Sequence, residues 1–77
     1  MLKELFDLAK LHGIQIKFYY DDFFGRYVIW MDRGDNHAVR TLPPEVVESS
    51  AVDTDTSILA AVYQTIKTLD NLNKKEN

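Results

Sequence analysis

Over the first twelve positions, apolar residues recur at the spacing of one helix face. Leu2, Leu5, Phe6 and Ala9 fall at i, i+3, i+4 and i+7, with Leu8 and Leu11 widening the stripe, so residues 2–12 are predicted to be helical. Gly13 follows where a helix commonly ends in a left-handed residue, and Lys10 and His12 occupy the last turn, where the helix dipole favours cations. From residue 14 the period drops to two. Ile14, Ile16, Phe18 and Tyr20 share one face and Gln15, Lys17 and Tyr19 the other, predicting a strand over 14–20 with one buried side. A second alternating run over 26–32 sets Tyr27, Ile29 and Met31 against Arg26, Val28, Trp30 and Asp32. Asp21 to Gly25 connects the two as a hairpin, with Gly25 able to supply a positive φ.

Arg33-Gly34-Asp35-Asn36 has turn composition, and residues 37–42 are a candidate third, shorter strand that Pro43-Pro44 would end, because proline donates nothing to a ladder. Residues 45–54 read as a connector, with Val46-Val47 set against a sheet edge. The last element is the clearest: Leu59, Val62, Ile66 and Leu69 keep a 3-4-3 spacing, broadened by Ile58, Tyr63 and Leu72, with Asp53, Thr54 or Asp55 as its cap. Asn71 and Asn73 weaken its end, and residues 74–77 are expected to fray. The predicted fold class is α+β in the order α-β-β-(β)-α, a small antiparallel sheet with both helices on one face, forming a single domain over 1–73. A two-layer body of this size cannot bury both faces of its sheet, so Tyr19, Val28 and Trp30 are expected on the open side.

Composition narrows the function. A chain of 77 residues has room for one core and one domain. It has no cysteine, which removes disulfides and zinc-thiolate sites and suits a reducing, cytoplasmic setting. Glu4 and Asp7 interrupt the first apolar stretch, so it does not read as a signal peptide, and no run is long enough to span a membrane. The net charge of −3 is unevenly spread. No lysine or arginine lies between Arg40 and Lys67, a stretch that holds Glu45, Glu48, Asp53 and Asp55. Direct nucleic-acid binding asks for a basic face, which this distribution does not provide; an acidic middle fits a partner protein with a basic surface.

Candidate chemistry is sparse. Arg33-Gly34-Asp35 matches an adhesion tripeptide but also suits a hairpin turn. Asp21-Asp22 and the acids at 53 and 55 lack calcium-loop spacing and are read as turn and cap residues, so no metal or other cofactor is expected. His12 and His37 have no serine elbow beside them, and a body this small leaves little room for a pocket; a non-enzymatic role is expected. What stands out is FYYDDFFGRY, six aromatic rings and two adjacent acids in residues 18–27. Four rings belong to strands, where cross-strand pairing accounts for them. Phe23 and Phe24 fall in the loop. The candidate partner-binding residues are therefore Tyr19, Phe23, Phe24 and Trp30 as aromatic anchors, with Asp21, Asp22, Asp32, Asp35, Glu45, Glu48, Asp53 and Asp55 as the acidic set.

The element order resembles the double-stranded-RNA-binding domain, but the stretch that would hold that family's basic cluster reads Asp53-Thr54-Asp55-Thr56-Ser57, so none of its functional residues carries over. In general style, a short acidic cysteine-free chain opening MLKELFDLAKLHGI and closing on an amphipathic helix resembles small phage and prophage proteins of Gram-positive bacteria. Some of these resemble inhibitors of host defence, including anti-CRISPR proteins. That resemblance implies an inhibitor acting inside the host cell, its acidic residues facing the basic channel of a nucleic-acid-binding protein. The alternative is a homodimeric assembly module joined through the aromatic sheet face or the last helix, with no inhibitory role.

Overall fold

A computed structural model describes residues 2–48 and 54–75. The chain runs α1 (Leu2–His12), β1 (Gln15–Asp21), β2 (Arg26–Arg33), β3 (Asn36–Leu42), α2 (Pro44–Val47) and α3 (Thr54–Lys75). The third strand is formed, and the order is α-β-β-β-α with one added helical turn. The acid at 53, predicted as a cap and as a partner-binding residue, lies outside the described residues.

α1 closes as its sequence predicts. Gly13 takes φ +64°, and the Ile14 amide donates to the Ala9 carbonyl at 3.0 Å, a Schellman closure that turns the chain directly into β1. The sheet is an antiparallel meander in the order β1-β2-β3, so β1 and β3 are both edges. Phe18 faces Ile29, Tyr19 faces Val28 and Tyr20 faces Tyr27 across the first hairpin; Met31 faces Ala38 and Trp30 faces Val39 across the second. Gly34-Asp35 makes the second turn in two residues.

One face of the sheet carries the core. Ile29, Met31 and Ala38 pack with Leu8 of α1, with Ile14, and with Ile58, Ala61, Val62, Ile66 and Leu69 of α3. Both long helices therefore lie on that face. Ile29, Met31 and Leu69 are fully buried, each contributing roughly 1.5–3 kcal/mol of transfer free energy. α3 packs on β2 and β3, whereas α1 leans on β1. The buried line of α3 also takes in Thr65, whose hydroxyl donates to the Ala61 carbonyl at 2.7 Å and so enters the core with its polar group satisfied. Tyr63, expected to broaden this stripe, points to solvent instead, and Leu72 is also exposed.

Two further expectations are corrected. Val46 and Val47 do not add to a sheet edge; Pro44 starts a helical turn, closed by the Glu48 amide donating to the Pro44 carbonyl at 2.7 Å, and Val47 packs against the core. β1 is not a strand with one buried side. Ile16 is half-buried, and Phe18 and Tyr20 remain exposed although they face the helix layer. The cause is coverage: α3 lies over the other two strands, and α1 alone does not cover β1.

Candidate functional site

The first hairpin ends in a loop of defined geometry. The Asp21 carboxylate accepts the amides of Phe23 and Phe24, both through Oδ1, at 3.0 and 3.2 Å. The Gly25 amide donates to the Asp21 carbonyl at 2.8 Å, and Gly25 closes the turn at φ +66°. The two backbone positions carrying phenylalanine are thus held, while their rings stand in solvent. Phe23 is 86% exposed and Phe24 71%, the rings touching edge to face with centroids 4.9 Å apart. Behind them, Tyr27 is packed against Phe18 in a stacked pair (5.9 Å) and against Tyr20 edge-on (5.0 Å). The Tyr27 hydroxyl donates to Glu48 Oε2 at 3.0 Å, and this bond raises the phenol above its usual pKa because it favours the protonated form.

Topology divides the predicted acidic set between the two ends of the sheet. Leu42 pairs with Tyr27, so β3 ends beside the tip, and α2 with Glu45 and Glu48 follows there. Arg33 donates to Asp70 Oδ1 at 2.7 Å, fixing the C-terminal part of α3 at the far end of β2. α3 therefore starts at the tip end, and Asp55 sits in its first turn. Asp21, Asp22, Glu45, Glu48 and Asp55 share this end, with Arg26 and the half-buried Arg40 as the nearby bases. Asp32 and Asp35 lie at the opposite end, away from Phe23 and Phe24. The Arg33-Gly34-Asp35 tripeptide is a turn whose arginine is occupied by Asp70.

The open sheet face offers less ring surface than expected. Val28 is buried there without a covering helix, flanked by Tyr19 and Thr41 on the neighbouring strands. Trp30 is half-buried: it stacks on His37 with rings 4.9 Å apart and nearly parallel, and its indole N–H donates to Asp32 Oδ1 at 2.9 Å. Trp30 and Asp32 are thus committed to each other, and of that face only Tyr19 projects freely among the predicted anchors.

Sequence reasoning missed an apolar groove between α1 and β1. Leu2 and Phe6 of α1 are 64% and 59% exposed, and with Leu5, Ile16 and Phe18 they line a groove of about 410 Å³. Their periodicity signalled an apolar face but not that the face lacks a full partner. Among the described residues no group of three or more histidines or acids is placed to hold a metal ion, and no helix is long and apolar enough to cross a membrane. Compared with known protein families, curated proteins and solved structures, the chain finds no match.

Proposed function

We propose that this chain is a non-enzymatic interaction protein that binds another protein through the tip of its first hairpin. The observation that carries this reading is the pair Phe23 and Phe24, held by a carboxylate-anchored turn yet left in water. A fixed loop that exposes two rings gains little for folding from them; a partner pocket would use them as buried anchors at little ordering cost. The acids gathered at the same end supply steering and register toward a basic surface. A partner of that chemistry is a nucleic-acid-binding protein whose basic site this end would occupy. The chain would then act in the cytoplasm of a cell as an inhibitor, the role that its resemblance to small phage proteins implies.

The test is a pull-down from bacterial lysate with the full chain, beside a Phe23→Ala/Phe24→Ala variant of confirmed fold. The expected result is one identified basic protein, captured by the wild type, lost by the variant, and released as salt rises, because exposed charge pairs are screened within about 8 Å at physiological ionic strength. A partner retained equally by the variant and insensitive to salt would overturn both parts of the proposal.

A further inference from the structure

The groove between α1 and β1 is a separate surface with a different character. Its walls come from α1, the turn after it and β1 alone, and Gln15, which belongs to the opposite sheet face, reaches its rim. It therefore opens across the free edge of β1. That edge is bare by the usual measures: β1 pairs with β2 over seven consecutive residues without a bulge and contains no proline, with Lys17 its single basic residue. The other edge, β3, has α3 packed over it and ends at Pro43.

The charge pattern names the occupant. α1 and β1 together carry three bases, Lys3, Lys10 and Lys17, and three acids, Glu4, Asp7 and Asp21; the net charge of −3 resides in the rest of the chain. A patch balanced in this way is self-complementary, as a two-fold contact requires, and offers nothing selective to a strongly basic or acidic partner. The exposed parts of Leu2, Phe6, Phe18 and Tyr20 amount to about 400 Å² of apolar side chain per copy. That is as much as the largest patch of an ordinary monomer, roughly 300–600 Å². Doubled by symmetry and enlarged by the strand edge and the charged rim, it reaches the roughly 1,200–2,000 Å² of a stable interface.

We propose that two copies of this chain associate by antiparallel pairing of their β1 edges, closing the α1–β1 groove of each against the other in a continuous six-stranded sheet with all four long helices on one face. The register that sets Lys17 opposite the copy's Asp21 pairs opposite charges, sets Phe18 opposite the copy's Tyr20 on the groove side, and brings Tyr19 beside its own counterpart on the open face. In this register Asp22 and Phe23 of the copy fall opposite Ile16 and Gln15, so the contact borders the hairpin tip and is told apart from tip binding by changes on α1.

Sedimentation of the full chain across the micromolar range tests it, with far-UV circular dichroism confirming the fold of each variant. The wild type is expected to be dimeric. Phe6→Glu changes an exposed helix position and is expected to weaken the dimer about tenfold or more, while Tyr63→Ala, an exposed change on α3 away from β1, leaves the mass unchanged. Because the chain has no cysteine, Tyr19→Cys should give a disulfide-linked dimer in mild oxidant, and Thr41→Cys on β3 should not. A wild type that stays monomeric throughout, a dimer that Phe6→Glu leaves intact, or preferential crosslinking through Thr41→Cys would each overturn the proposal; the first would leave the groove to a different protein.

Discussion

Replacing both tip rings by alanine separates a folding role from a binding role, because the structure assigns them different sizes. Phe23 keeps 86% of its surface in water and Phe24 71%, so folding removes about a seventh and under a third of their accessible area. Full burial of such a side chain is worth roughly 1.5–3 kcal/mol, which scales to about 0.3 and 0.7 kcal/mol here. The edge-to-face contact adds about 0.5 kcal/mol at most, since two adjacent residues already meet in the unfolded chain. Phe23→Ala/Phe24→Ala should therefore cost roughly 1–1.5 kcal/mol in urea unfolding at unchanged m-value, well short of the 3–5 kcal/mol of a single buried phenylalanine truncated in a core. If the rings are binding anchors, the same change should remove 2 kcal/mol or more of partner affinity, a weakening of about thirtyfold. A loss of stability above about 3 kcal/mol would show that the rings belong to the fold, and the argument for a presented surface would fall with it.

Other parts of the structure make equally definite demands. Leu69→Ala, at a fully buried position of α3, should cost about 2–5 kcal/mol in the same unfolding assay. Asp70→Asn breaks a part-exposed ion pair and should cost no more than about 1 kcal/mol, with the difference shrinking at high salt. Asp21→Ala releases two amides at the tip and should cost about 1 kcal/mol while raising the hydrogen-exchange rates of Phe23 and Phe24. Tyr27 titrates above the usual 10.0 of a tyrosine because its hydroxyl donates to Glu48, so folding favours the protonated phenol. That contribution is fully present below the ordinary value and is lost as pH rises through the raised folded value; an alkaline stability series should show the loss in wild type and not in Tyr27→Phe.

Much of the architecture was legible because local signals agreed. The 3.6-residue period of α1 and its Gly13 stop, the switch to period two at Ile14, and Gly25 at the hairpin each correspond to an element boundary in the structure. Val46-Val47 misled because a pair of β-branched residues reads as strand, while Pro44 ahead of them begins a helical turn. The exposure of Phe18, Tyr20 and Phe6 was not legible for a different reason. A periodic pattern reports which face of an element is apolar, not how much opposing surface exists to cover it. Three strands face two long helices, but α3, with 22 residues, lies over β2 and β3, and the 11 residues of α1 lean on β1 at one end. The acidic set was found as residues and not as a site, since only topology separates Asp32 and Asp35 from the tip. Trp30 looked like an anchor in the sequence because its stacking on His37 depends on cross-strand register, and its bond to Asp32, two residues along the same strand, depends on how the two side chains turn on the open face.

The meander also bears on how the chain reaches its native state. Each strand pairs with its neighbour in sequence, through loops of four and two residues, so the sheet assembles without closing a long loop. Connectivity of this kind places folding at the fast end for a sheet-containing domain, in milliseconds rather than seconds. The slower encounter between molecules would then begin from finished monomers, and its rate should depend on protein concentration while folding does not.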